Sequence, residues 1–203
     1  MTDILLLLDQ IRAIASTGLH YAQNPYDQER YQHLLHLAAL EYSALTGLTE
    51  AQVIARFRQE LGYITPKVGV DAAIFDAQGR ILLCKRSDDS TWCLPCGWAE
   101  VGLTPEENIA REVREETGLE VRVGQLIQVM AFFPHSGGGP HAGYGLIYHC
   151  VPVGGALRPS HETPQLAYHD YTQVADWHFD HRQRAAAAFE FWRRIQQGES
   201  GNA

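Results

Sequence analysis

Three glutamates, Glu112, Glu115 and Glu116, stand at i, i+3 and i+4 in the stretch GWAEVGLTPEENIAREVREETGL, Gly97 to Leu119. On a helix turning roughly 100° per residue, this spacing gathers the carboxylates over about a quarter of the circumference. The arrangement opposes its own electrostatics. The acids repel one another, and they crowd the C-terminal end, where the macrodipole disfavours negative charge. One reading is a solvated acidic face, partly neutralised by Arg111 and Arg114. The other is a hard divalent cation, Mg2+ or Mn2+, held among the oxygens. The loop before the acids favours the second reading. Gly97 and Gly102 allow tight turns, so carbonyls and amides can approach an ion or a phosphate.

The helix that must position these acids is marked at both ends. Thr104 is a good N-cap, Pro105 suits the first helical position, and Glu107 completes a capping box. Gly118 is a natural stop. Between them Ile109 and Val113 lie four apart and predict the face that enters a core.

With these residues in place the stretch resembles the signature of the Nudix hydrolases, G-x5-E-x7-R-E-U-x-E-E-x-G-U, where U is a bulky aliphatic. Gly97, Arg111, Glu112, Val113, Glu115, Glu116, Gly118 and Leu119 fall in place. Leu103 stands where the first glutamate is expected, and Cys96 where a glycine commonly precedes the signature. The resemblance implies metal-dependent hydrolysis of a nucleoside diphosphate linked to another moiety. It implies Glu112, Glu115 and Glu116 as ligands of Mg2+ or Mn2+, with the Gly97 carbonyl as a backbone ligand. Arg111, four before Glu115, either braces the carboxylates or forms an ordinary surface ion pair. The general base would be a signature glutamate, Glu112 or Glu115, or an acid on a later loop. Here the later candidate is Glu162 in SHETPQ, which reads equally as a solvated loop acid. Glu100 is either a loop surface acid or a group reaching the metal through water. Trp98, Phe133 and Tyr144 are candidates for stacking on the base, against the alternative that they are core. Arg86 is a candidate for meeting a phosphate.

The rest of the chain supplies the frame. Leu5, Leu8, Ile11 and Ala15 predict a helix over 3–20; Tyr31, Leu34, Leu35, Ala38 and Leu45 predict another over 25–46. Thr49 with Gln52 caps a third helix running to about Leu61. From Lys67 the apolar period becomes two, giving a hairpin through the turn Asp76–Gly79 to Cys84. Strands are expected at 92–94, 120–131, 145–153 and 165–169, a mobile loop at 132–143, and a last helix at 181–196. The order suggests an α/β fold, an α/β/α sandwich with a mixed sheet. The expected domains are a small all-helical N-terminal domain at 1–64, a Nudix domain at 65–198 and a disordered tail at 199–203. The helical start, GYITPK and GWAEVGLTP together resemble one Nudix branch, whose members act on CDP-choline-like substrates or are labelled ADP-ribose pyrophosphatases. In that branch a leucine at the Leu103 position is normal, with consequences for metal number.

Composition bounds the alternatives. The chain has 203 residues, 45% of them hydrophobic, and a net charge of −8 with no basic block. That balance argues against a nucleic-acid partner, and so against an RNA end-trimming hydrolase. An acidic protein acting on a pyrophosphate needs a cation to screen the repulsion. The start, with Asp3 and a short apolar run, lacks the pattern of a targeting segment, and no run is long enough to span a membrane. The cytoplasm is therefore expected. Cys93 and Cys96 form a CxxC without a second ligand pair, so buried thiols are expected over zinc or redox chemistry. His33 and His36 share a helix face, and solvent or a neighbouring helix is expected for them. The N-terminal helices cannot hide much apolar area alone. They are expected to dock on the following domain or to form a homodimer. The expected substrate is a CDP-alcohol such as CDP-choline, with ADP-ribose as runner-up. A non-catalytic nucleotide sensor, suggested only by Leu103, is the alternative of another class.

Overall fold

The computed structural model describes residues 4–59, 64–133 and 141–198. The chain forms two compact units, residues 1–67 with 133–142, and residues 68–132 with 143–203. The tail expected at 199–203 lies outside the described residues, as does most of the loop expected at 132–143.

The first unit is helical: α1 (Ile4–Tyr21), α2 (Pro25–Thr46) and α3 (Glu50–Phe57). Asn24 caps α2 by accepting the Asp27 N–H at 2.8 Å, with Pro25 at the first helical position. Gly47 ends it. Thr49 and Gln52 close the capping box of α3. Leu8, Ala15, Leu35, Ala38, Ala39, Tyr42, Val53 and Phe57 make its core. Arg12 is also buried, lying over the Phe57 ring at 5.3 Å. His36 does meet a neighbouring helix, through an ion-pair contact with Glu50 at 2.7 Å. Ile14, Leu37, Leu40 and Leu45 stay exposed.

The second unit is built on strands β1 (Lys67–Ala73), β2 (Ile81–Lys85), β3 (Trp92–Cys93), β4 (Cys96–Trp98), β5 (Leu119–Phe132), β6 (Gly143–Gly155) and β7 (Gln165–His169). Helix α4 (Pro105–Thr117) follows β4, and α5 (His181–Gln196) closes the chain. The strands form one sheet in the order β4-β1-β6-β5 and another in the order β3-β2-β7. Alternation along the strands explains the layering. Val70, Ala72, Ile74, Leu82, Tyr148 and Cys150 pack with Ile109 and Val113 of α4. The intervening residues Ala73, Ile81, Leu83 and Ile147 pack with Ala185 and Ala188 of α5. One helix therefore covers each face, an α/β/α sandwich. β4 was expected as glycine loop; its three residues pair instead with β1, Gly69 opposite Trp98 and Asp71 opposite Cys96. This pairing fixes where Gly97 stands.

Candidate active site

The stretch Gly97 to Leu119 folds as its residue types dictate. Thr104 accepts the Glu107 N–H at 3.2 Å, and Glu107 returns a carboxylate to the Thr104 N–H at 2.8 Å. Gly118 ends α4 at φ +75°. Ile109 and Val113 are fully buried, which fixes the rotation of the helix. The opposite rim then turns its carboxylates toward β4. Gly97 packs so tightly against Glu112 that a Cβ there would overlap the carboxylate. Glu116 accepts the Cys96 N–H at 2.9 Å. The glycine is needed for this approach, since any side chain would push Glu112 out of place.

Arg111 links the acids. Its Nη2 donates to Glu112 at 2.8 Å and meets Glu100 at 2.9 Å, and its Nη1 lies 3.9 Å from Glu115. Glu115 is itself exposed. The electrostatics differ along the helix. Burial raises Glu112 above the ordinary carboxylate range; Arg111 opposes, while Glu115, Glu100 and Glu162 add to the rise. Glu116 is 8% exposed. Burial pushes it up to about 8; the Cys96 N–H opposes, and the charges of Glu112 and Glu162 push further. Carboxylates so placed, against a glycine that leaves room only for oxygen atoms, suit a hard divalent cation.

The loop carrying Glu162 is tied to the end of α4. Thr163 Oγ1 donates to the Glu116 carbonyl at 2.7 Å, and the Ser87 N–H donates to the Glu162 carbonyl at 2.9 Å. Arg86, next to Ser87, acts on Glu116 electrostatically, but its guanidinium also pairs with Asp88, Nε to Oδ1 at 2.9 Å. Trp98 and Tyr144 are half exposed, and both lie beside Gly69, Trp98 by its ring and Tyr144 by its carbonyl. Phe133, also half exposed, groups with the helical unit. Leu103 is 40% exposed. Gly97, Glu100, Arg111, Glu112, Glu115, Glu116, Glu162 and Arg86 are thus joined by contact or by field.

Asn108 escaped the sequence reading. It is fully buried. Its Oδ1 accepts the Glu100 N–H at 2.9 Å, and its Nδ2 donates to the Thr104 carbonyl at 3.0 Å. It fastens the glycine loop to the helix and so places the Glu100 that meets Arg111. The available signal was an amide one residue before the core-facing Ile109. Asp71 also escaped; its signal was an acid inside the apolar run VGVDAAIF.

A Nudix domain model matches residues 65–189. The chain belongs to the Nudix family. Residues 2–57 match a second model, described as a UDP-X-like N-terminal oligomerisation domain. Among known relatives, the Bacillus subtilis (strain 168) protein YjhB, provisionally named an ADP-ribose pyrophosphatase, is 40% identical over 128 residues. That match covers 63% of this chain and 61% of the relative, so the chain spans about three fifths of that protein's length. A Methanocaldococcus jannaschii ADP-ribose pyrophosphatase is 31% identical over 122 residues, 59% of this chain and 70% of that one. The crystal structure of a UDP-X diphosphatase superposes with a TM-score of 0.59 at 26% identity, covering 96% of this chain and 94% of the other. Membership of this family agrees with the signature, the α/β/α layering and the helical start. No helix among the described residues is long and apolar enough to cross a membrane.

Proposed function

We propose that this Nudix protein is a metal-dependent pyrophosphohydrolase. It cleaves a nucleoside diphosphate linked to another moiety, giving a nucleoside monophosphate and a phosphorylated product. The observation that carries this is Glu116, buried on a helix beside like charges, with the Cys96 N–H as its side-chain hydrogen-bond donor and the Arg86 charge too weak to offset burial.

Glu112, Glu115 and Glu116, with the Gly97 carbonyl, would hold Mg2+ or Mn2+. A cation there would neutralise charge on the attacked phosphate and would make a bound water more acidic. Glu162, exposed and acting through its charge on Glu112 and Glu116, would take the proton from the attacking water as the P–O anhydride bond breaks. Arg111 holds Glu112 in place by its hydrogen bond and reaches toward Glu115. Arg86 can exchange its Asp88 partner for a substrate phosphate, which offers the same bidentate geometry. Trp98 and Tyr144 offer aromatic surface for the base.

The names of the relatives support testing ADP-ribose first, before the CDP-alcohol that branch resemblance suggests, and UDP-linked compounds join the panel. Incubating the pure protein and Mg2+ or Mn2+ with ADP-ribose, CDP-choline and UDP-sugars ranks them by kcat/KM. Equal, slow turnover on all would remove any nucleotide preference. Tight binding without metal-dependent phosphate release would make the protein a sensor instead. The helical unit serves a homodimer, supported by its match to an oligomerisation domain and by exposed Ile14, Leu37, Leu40 and Leu45. Sedimentation of a monomer at micromolar concentration would contradict that.

A further inference from the structure

A second group of side chains with metal-ligating atoms lies in the same unit as the glutamates, outside the hydrolytic reaction proposed above. Asp71 comes from β1, Cys96 from the register position opposite on β4, and His181 from the first turn of α5. A carboxylate oxygen, the Cys96 sulfur and an imidazole nitrogen all lie within 4.8 Å of one another. Asp71 is fully buried and His181 is 5% exposed. Asp71 Oδ2 accepts from Arg184 Nη1 at 2.6 Å. Its Oδ1, 3.9 Å from His181 Nδ1, is buried with no hydrogen-bond partner among the described residues. Such an oxygen normally finds a donor. The nearby ring nitrogen does not supply one. The Leu94 N–H donates to Nδ1 at 3.2 Å, so Nδ1 carries a lone pair and not a proton.

We propose that Asp71 Oδ1, Cys96 Sγ and His181 Nδ1 form a binding site for a borderline-soft divalent cation of the Zn2+ class, separate from the glutamate site. A mixed sulfur, nitrogen and oxygen donor set suits Zn2+, where Mg2+ requires oxygen. Arg184 is anchored by Asp180 at 2.9 and 3.1 Å and holds the far oxygen of Asp71. That is the role of an outer partner orienting a ligating carboxylate. The Cys93 thiol donates to the Cys84 carbonyl at 3.6 Å, which leaves Cys96 as the ligand of the CxxC pair. On binding, Cys96 releases its proton to solvent, and the sulfur–metal bond forms on the thiolate. Two negative ligands then balance the cation. The Leu94 N–H gives up a long hydrogen bond, a small loss beside a metal–imidazole bond. Buried apolar surroundings account for Cys84 and Cys150. They do not account for a thiol set between a carboxylate and an imidazole.

The test uses the full-length protein, reduced, stripped with chelator and supplied with excess Mg2+ to occupy the oxygen site. Titration with Co2+ is expected to give an intense near-ultraviolet thiolate-to-cobalt charge-transfer band that saturates at one equivalent and is displaced by Zn2+. Cys96→Ser abolishes the band. Asp71→Asn weakens Co2+ binding by at least the roughly 10–100-fold that loss of an outer partner costs. Glu112→Gln, which alters only the oxygen site, keeps the band. Zinc-edge X-ray absorption of the wild-type protein needs no variant, and is expected to show one sulfur among nitrogen and oxygen neighbours. No thiolate band at saturating Co2+, a band that survives Cys96→Ser, or a zinc shell without sulfur would each overturn the site.

Discussion

Asp9 in the helical unit and Glu116 in the Nudix unit are both carboxylates drawn out of water, and their surroundings treat them in opposite ways. Asp9 accepts from Arg12 at 2.8 and 3.2 Å, from His141 Nδ1 at 3.0 Å and from the Ala142 N–H at 3.2 Å. Burial alone would raise it, but these donors outweigh burial and hold it at about 2. Glu116 has the Cys96 N–H and the charge of Arg86, set against the charges of Glu112 and Glu162, and burial takes it up to about 8. The fold can saturate a carboxylate when that group serves structure. At Glu116 it does not, and the missing positive charge is what a divalent cation would bring.

The largest effect that can break this comparison is on turnover. Glu116→Gln keeps an acceptor for the Cys96 N–H but removes the charge. It is expected to lower kcat by about 100-fold or more, beyond what loss of an outer partner costs. Its circular dichroism should stay native. Near-normal turnover at saturating metal would return Glu116 to an ordinary buried acid. Next in size, Asp9→Asn removes the charge that accepts from Arg12, His141 and the Ala142 N–H, and should cost about 1–3 kcal/mol in denaturant unfolding. Asn108→Ala should cost a similar amount, about 1–3 kcal/mol, because it strands the Glu100 N–H and loosens the glycine loop.

The pH dependence sharpens the same contrast. Asp9 titrates in the folded protein near 2, below its ordinary 3.8. The folded state therefore favours the carboxylate. Its contribution is fully present above pH 3.8 and is lost as pH falls toward 2. Acid unfolding followed by circular dichroism should show a loss in that window which Asp9→Asn lacks. The smallest effect belongs to Leu103→Glu. The side chain is partly exposed, so stability should move within about 0.5 kcal/mol while the metal concentration for half-maximal activity shifts.

Much of this was legible because local rules and the fold agree. The caps of α3 and α4 follow from Thr49 and Thr104, and both side-chain hydrogen bonds are formed. The two-residue period of β1 and β2 gave both faces of the sandwich. The signature gave the acids because the repulsion among Glu112, Glu115 and Glu116 is written in their spacing. What stayed hidden depends on partners far away in sequence. Asp71 and Arg184 are 113 residues apart, and no periodicity announces their ion pair. His141 reaches Asp9 across 132 residues, so the start of the chain and the end of the β5–β6 loop share one unit. Asn108 looked like any polar helix residue until the glycine loop folded over it. β4 read as loop because Cys96-Gly97 has no apolar alternation; register with Asp71 and Gly69 makes it a strand.

The most direct test is thermal unfolding of metal-free wild-type protein and Glu116→Gln, each with and without millimolar Mg2+ or Mn2+. If a cation is what the buried glutamate lacks, metal raises the wild-type Tm by several degrees and leaves the variant nearly unmoved, and without metal the variant is at least as stable as the wild type. A wild-type Tm indifferent to both ions, or an equal rise in the variant, would contradict the account.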